Sequence, residues 1–225
     1  ILEARENLGG TWDLFRYPGV RSDSDMYTLG FVFQPWEGDK SIADGKDILA
    51  YLRKTAEQYD ISGKISYRQQ VRAATWSSDR GTWLVDVMQP SGETTYIECS
   101  FLFGCMGYYD YDEGYTPDFP GRELFKGEIV HPQKWTEDID YEDKRVIVIG
   151  SGATAITMVP AMTDKAKHVT MLQRSPTYIY SMPSKDAWVI RLKKILPARW
   201  TYALIRWKHI MATGFWGVVA SLWPE

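Results

Sequence analysis

Two glycines and an alanine follow a β-branched run at Val146-Ile-Val-Ile-Gly150-Ser-Gly152-Ala-Thr-Ala155. A G-x-G-x-x-A turn between a strand and a helix is suited to holding a pyrophosphate. Gly150 permits the tight turn, Gly152 lets the backbone approach the phosphates, and Ala155 lets the helix pack close to the strand. The phosphates then meet unpaired N–H groups at a helix N-terminus, where the dipole also favours negative charge. About 20 residues further on lies the position that reads the adenosine ribose, usually acidic where the cofactor is NAD. Here the next strand, His168-Val-Thr-Met-Leu172, runs into Gln173-Arg174-Ser175. A guanidinium and a hydroxyl suit a 2′-phosphate, so the pattern points to NADPH over NADH. The plainer alternative is an ordinary strand–helix turn with a surface arginine nearby.

A second constellation opens the chain. Ile1-Leu-Glu3 reads as the end of a strand, and an acid at that place can accept both ribose hydroxyls of a dinucleotide. Gly9-Gly10-Thr11-Trp12 follows, where glycine permits close backbone approach and Trp12 can cover a ring system or simply fill a core. The strand, glycine turn and helix expected before Glu3 are not in the sequence, which reads as an internal or N-terminally truncated piece.

The elements that must position these residues follow from periodicity. Asp44 to Tyr59 is a helix with Ile48, Leu49, Leu52, Ala56 and Tyr59 on one face. Strands are expected at 64–67, 71–77, 82–89 and 94–103, with a hairpin turn at Pro90-Ser-Gly92. Phe101-Leu-Phe-Gly-Cys-Met106 is a continuous apolar run, as in a strand buried on both faces, and Gly107 breaks it. Residues 7–40 are mostly loop, and 120–144 form a turn-rich connector into the β-α-β unit that starts at Arg145. Beyond Pro183 the pattern is helical, with aromatic and basic residues mixed. That tail suits a packed helical subdomain better than a membrane-surface helix.

Composition excludes several classes. The 225 residues carry a net charge of −3, with 44% hydrophobic and 24% charged residues, so no basic patch suggests a nucleic-acid partner. No apolar run approaches the ~20 residues of a membrane span, and no signal peptide is visible. Cys99 and Cys105 read as buried thiols of a reducing cytoplasm, not a disulfide framework. The three histidines have no metal-ligand spacing. Ten tryptophans and 14 tyrosines fit either large flat ligands or a demanding core.

The connector carries the most specific pattern. Phe125-Lys-Gly127-Glu-Ile-Val-His131-Pro-Gln-Lys-Trp135-Thr136 resembles the F-x-G-x-x-x-H-x-x-x-W-[P/D] signature of Baeyer–Villiger monooxygenases, the class B flavoprotein monooxygenases. Thr136 stands where that signature has Pro or Asp. Upstream, Gly10-Thr-Trp-Asp-Leu-Phe-Arg-Tyr-Pro-Gly19 and Arg21-Ser-Asp-Ser-Asp-Met-Tyr27 look closest to the ethionamide-activating type. The resemblance implies an α/β fold of two Rossmann-like dinucleotide-binding domains, the first incomplete at its N-terminus and carrying inserted β-hairpins. Residues 1–135 would be the partial FAD domain, 136–183 the connector and start of the NADP domain, and 184–225 a truncated helical segment. It implies FAD contacts at Glu3, Gly10, Thr11, Trp12 and Gly107, and NADPH contacts at Gly150, Gly152, Ala155, Arg174 and Ser175. Asp23 matches the acid that pairs with the family's active-site arginine near the reactive flavin face; Asp25 is two residues away, and Arg21 is a weaker candidate for the same region. His131 would hold the connector as the domains move, without catalytic contact. The first glycine motif would precede Ile1 and the arginine would follow Glu225. The implied reaction is NADPH- and O2-dependent oxygenation of a small hydrophobic ketone or organosulfur substrate through a C4a-peroxyflavin. The alternatives are an N- or S-oxygenating flavin monooxygenase without ketone chemistry and a non-catalytic nucleotide-binding fragment.

Overall fold

The computed structural model describes residues 1–177, 179 and 183–222, so the ends of the spans expected at 136–183 and 184–225 lie partly outside the described residues. In chain order the elements are α1 (Thr11–Leu14), α2 (Met26–Leu29), α3 (Gly45–Gln58), β1 (Gln70–Ser77), β2 (Thr82–Met88), β3 (Thr94–Cys99), β4 (Arg145–Ile149), α4 (Ala153–Met162), β5 (His168–Leu172), α5 (Ala187–Leu192) and α6 (Ala198–Leu222). The architecture is mixed α/β. It divides into two compact units, one of Ile1–Leu14 with Leu52–Gln133 and one of Phe15–Tyr51 with Lys134–Glu225.

The first unit contains an antiparallel meander in the order β1-β2-β3. Alternating residues place Val85 and Val87 of β2 in the interior. Trp76 and Trp83 are cross-strand partners with ring centroids 5.4 Å apart. The hairpin turn forms where Pro90-Ser-Gly92 foretells it, with Gly92 at φ 85° and its N–H donating to the Gln89 carbonyl. Two expectations are corrected. Residues 64–67 make no strand: Ser62–Lys64 is a 3-10 turn, and Ser66 forms a single parallel bridge with Leu2. The segment 101–106 lies beyond the end of β3 and joins no sheet of the described residues, leaving Phe101 76% and Phe103 77% exposed. An apolar run encodes a preference for burial, but burial in a sheet needs neighbouring strands, and none of the described residues pairs with this segment. Cys105 is accordingly exposed and Cys99 only half-buried, not the buried thiols expected.

The second unit is built on a β-α-β crossover. β4 and β5 pair in parallel from Arg145↔His168 to Ile149↔Leu172, and α4 connects them. Met158 and Met162 of α4 form a buried cluster with Tyr17, enclosed by Phe15, Val20, Trp135, Tyr141, Val146, Val148 and Val169. Gly19, at φ 81°, brings the 15–20 loop against α4 so closely that a Cβ there would lie 2.3 Å from the Thr157 carbonyl oxygen and 2.6 Å from the Ala161 Cβ. Residues Thr201, Tyr202, Ile205 and His209 make the buried face of α6, at the i, i+4 spacing of one helix face. Among the described residues no helix is long and apolar enough to cross a membrane.

Candidate functional site

Glycine makes the turn that leads into α1. Gly9 and Gly10 have φ of 131° and 52°, and the Gly9 carbonyl accepts from the Trp12 N–H while that of Gly10 accepts from Asp13 and Leu14. A Cβ at Gly10 would lie 3.2 Å from the Tyr111 hydroxyl, and the Thr11 hydroxyl is 3.5 Å from the same oxygen. Trp12 is half-buried. Glu3 follows the Leu2 bridge, as a residue at a strand end should, and one carboxylate oxygen accepts from the Arg5 N–H at 2.9 Å. A carboxylate retains further lone pairs for hydroxyl donors. The chain therefore brings Glu3 and the Gly10-Thr11-Trp12 turn into one neighbourhood within the first unit, linked by Arg5. Gly107, at φ 71° with nothing within 4 Å of a Cβ position, lies in an exposed stretch of the same unit.

The device that fixes this turn is one that sequence reasoning missed. Arg5 donates to the Gly10 carbonyl at 3.0 Å and to Asp13 Oδ2 at 3.0 Å, and its guanidinium lies 5.4 Å from the Tyr111 ring centroid. Asp13 is 2% exposed and also accepts from Arg53 at 3.5 Å. A charged pair with two bonds through one arginine ties the start of the loop to the start of α1. Arg5 lies in no helix or strand while Asp13 is in α1, so no shared element's period reveals the pair to pattern reading.

In the second unit the fingerprint turn has the expected geometry. Gly150 adopts φ 131°, and its N–H donates to the Leu172 carbonyl at 2.8 Å, which closes the end of the sheet. Gly152 is the N-cap of α4 and offers no side-chain acceptor to the first-turn N–H groups. Nothing lies within 4 Å of a Cβ at Gly150 or Gly152, so the space over the turn is open to an anion. Ala155 is buried where α4 meets the sheet. The Ser151 hydroxyl donates to the Ser175 carbonyl at 3.0 Å, which brings the β5 end, with exposed Arg174 and Ser175, to the turn. These groups fit a phosphorylated dinucleotide.

The loop holding the candidate acid belongs to this second unit. Asp23 is exposed, with buried Ser22 before it and buried Asp25 after it. Arg21 forms an isolated bridge with Asp44. Asp25 caps α2, accepting from the Thr28 N–H at 3.0 Å and the Thr28 hydroxyl at 2.5 Å. Asp25 is thus engaged in the α2 cap, whereas Asp23 is exposed. The α2 turn is held by α6: Arg206 donates to the carbonyls of Tyr27, Thr28 and Gly30, and the His209 ring stacks on Tyr27 at 5.9 Å. His209 also contacts Asp186 at 3.1 Å, and Lys208 pairs with the same carboxylate. Burial opposes ionisation of Asp186, yet the bonds from Lys208, the Trp188 N–H and His209 outweigh it and hold its carboxyl below the usual range. Burial, followed by the charges of Asp186, Asp39 and Asp25, pushes the Tyr27 phenol far above its ordinary value, so it stays a neutral donor to the Gly38 carbonyl.

His131 belongs to the first unit. Its Nδ1 accepts from the Gln133 N–H at 3.2 Å, and its ring lies where a Cβ on Gly114 would be, 2.2 Å from Cε1. Gln133 in turn donates to the Asp110 carbonyl. These bonds organise the connector locally.

Comparison with known proteins yields a consistent set. The flavin-binding monooxygenase-like family model matches residues 39–210. The FAD-containing monooxygenase EthA of Mycobacterium tuberculosis is 53% identical over 226 residues, covering 100% of this chain and 46% of the relative. The solved structure of an oxidized steroid monooxygenase bound to NADP superposes with a TM-score of 0.71 at 30% identity, over 90% of this chain and 37% of the other. That of OTEMO in complex with FAD and NADP gives 0.65 at 31% identity, over 79% and 34%. The chain spans about half the length of the curated relatives it matches.

Proposed function

The chain belongs to the flavin-binding monooxygenase-like family, and from that premise we propose that it is the nucleotide-binding portion of an NADPH- and FAD-dependent monooxygenase. The reaction proposed is transfer of one oxygen atom of O2 to a small hydrophobic ketone or a soft sulfur centre. The observation that carries this reading is the Ser151–Ser175 bond, which joins the residue after Arg174 to a glycine turn whose N-cap offers no side-chain acceptor. Arg174 and Ser175 take the 2′-phosphate, while Gly150, Gly152 and Ala155 admit the pyrophosphate. Glu3 takes the FAD ribose, with Gly10, Thr11, Trp12 and Gly107 along the rest of that cofactor. Residues 1–135 then form part of an FAD domain with its β-hairpin insertion, 136–183 the connector and the opening of an NADP domain, and 184–225 a helical segment.

Bound together, the two cofactors supply hydride transfer and the reductive activation of O2; the protein binds, orients and shields them. Asp23 is the proposed active-site carboxylate. Its exposure leaves it able to pair with a guanidinium, and a cation so oriented stabilises developing oxyanion charge. Support for ketone chemistry comes from Phe125, Gly127, His131 and Trp135, the connector signature, together with the Asp23 loop. His131 holds the connector through Gln133 and takes no part in proton transfer.

The test is steady-state NADPH and NADH oxidation by the full-length protein and its Arg174→Ala variant. Loss of a charge-assisted phosphate contact, about 1.5–3 kcal/mol, raises KM for NADPH roughly 10- to 150-fold and leaves NADH nearly unchanged. An equal effect on both cofactors sinks the 2′-phosphate assignment. Product analysis with a cyclic ketone and an alkyl sulfide separates the chemistries: sulfoxide without ester moves the protein to the N- or S-oxygenating reading.

A further inference from the structure

Residue 23 is separated by more than 170 positions from the helix that holds its loop in place. α2 has only four residues, too few to persist on backbone bonds alone. Its N-terminus is capped by Asp25. Its carbonyls would be left without helical partners, and a cation at a helix C-terminus is favourable. Arg206 supplies that cation. Its Nη1 donates to the Tyr27 carbonyl at 2.6 Å, to Thr28 at 3.2 Å and to Gly30 at 3.3 Å, and lies 3.1 Å from the Tyr202 hydroxyl.

One turn along α6, His209 lies flat on Tyr27 with an interplanar angle of 12°. Its Nδ1 is 3.8 Å from Asp25 and its Nε2 3.1 Å from Asp186. Asp186 caps α5 through the Trp188 N–H at 2.8 Å. The upstream end of the loop is pinned separately: the Ser22 N–H donates to the Ala43 carbonyl at 2.9 Å, and the Ala43 N–H to the Ser22 hydroxyl at 3.1 Å. Only Asp23 and Ser24 lie between the two anchored points. Two residues between fixed ends cannot relocate unless an anchor is released.

We propose that Arg206 and His209 of α6 are positioning residues for the Asp23 carboxylate, acting through α2 and its cap. The proposal rests on the reading of Asp23 as the active-site acid.

The test uses the full-length protein with FAD bound. Arg206→Met, Arg206→Lys, Asp23→Ala and the double variant Asp23→Ala/Arg206→Met are compared for product formed per NADPH oxidised and for KM of NADPH. Amide hydrogen exchange over residues 22–30 is followed in the same samples. Misplacement of a reacting group by ~1 Å costs up to about 10²-fold. Arg206→Met is therefore expected to lower the product ratio roughly tenfold, with hydrogen peroxide making up the difference and KM for NADPH unchanged. Exchange over 22–30 should quicken by at least about tenfold. Arg206→Lys should recover most of both, because one ammonium carries three donors. The double variant should be no worse than Asp23→Ala alone.

Additive losses in the double variant overturn the proposal. So does faster exchange with an unchanged product ratio, because α6 would then hold the fold and not the acid. An unchanged ratio in Asp23→Ala removes the acid assignment and the proposal with it. A lowered ratio there, beside an unaffected Arg206→Met, removes the positioning role alone. Should Arg206→Met fail to accumulate, His209→Phe keeps a ring on Tyr27 while deleting the contacts to Asp25 and Asp186, and the same measures decide.

Discussion

Replacing Gly19 with Ala should detach the 15–20 loop from α4, and a second glycine provides the internal standard. Gly19 and Gly92 have nearly the same backbone, φ 81° and 85°. An L side chain in that region costs about 1–2 kcal/mol at either position. The surroundings differ. A Cβ at Gly92 meets nothing within 4 Å, whereas at Gly19 it falls 2.3 Å from a backbone oxygen and 2.6 Å from the Ala161 methyl. Ordinary carbon contacts lie near 3.5–4.0 Å, so the loop must retreat by more than an ångström from a helix backbone that cannot give. Overpacking of that kind adds roughly 1–3 kcal/mol. Gly19→Ala should therefore cost about 2–5 kcal/mol and Gly92→Ala about 1–2. Native-state hydrogen exchange reads the difference locally. The Val20 N–H, bonded to the Tyr17 carbonyl, and the Gly45 N–H, bonded to the Val20 carbonyl, report on the loop. Their opening should accelerate by roughly 30- to several-thousand-fold in Gly19→Ala and stay constant in Gly92→Ala. Equal, small effects in the two variants would refute the close approach of this loop to α4.

In the full-length protein, Asp23→Ala should lower kcat for oxygenation by about 10²–10³ while KM for NADPH stays put; an unchanged rate and product ratio return Asp23 to an ordinary loop residue. Arg5→Met should weaken FAD retention, measured by flavin released on dilution, because it removes the donor to Gly10 and one partner of buried Asp13; retention equal to wild type refutes the role given to that pair. The carboxyl of Asp186 is held below its ordinary range, so its contribution to stability is complete above the unfolded value of about 4 and disappears as pH falls through the folded value. Asp186→Asn should therefore lower the melting temperature at neutral pH and flatten its decline below about pH 4; a parallel curve shows that the bonds to Lys208 and His209 contribute nothing.

Much of the scaffold was legible because its signals are local. The G-x-G-x-x-A turn, the β4–α4–β5 unit, the 82–89 strand with its glycine hairpin and the 44–59 helix each announce themselves within one contiguous stretch of fewer than thirty residues. Asp25, which the sequence left as a neighbour of the candidate acid, caps α2. What escaped notice depends on pairs far apart in sequence. Arg206 reaches carbonyls at 27–30, and His209 reaches Asp25 and Asp186; such partners leave no periodic trace. Phe101–Met106 failed for the converse reason: its apolar pattern is strong, but a sheet also requires neighbouring strands, which no local pattern supplies. Cys105 was misjudged with it.

The Tyr17–Met158–Met162 cluster and the Arg206 clamp place residues 15–51 in one compact unit with 134–225. A gene cut once near the connector therefore splits one packed body, and chimaeras between relatives should survive only when both stretches are exchanged together. The same arrangement imposes a delay during synthesis. The 15–51 segment emerges from the ribosome long before His209, the ring on which Tyr27 stacks. At ~5–20 residues per second the interval is on the order of 8–30 s. Through that time Tyr17, Met26, Tyr27 and Trp36, all buried in the finished protein, have no completed core to enter. Their exposure makes the nascent chain a client for chaperones, and variants that lengthen the wait should show it first as lower yield.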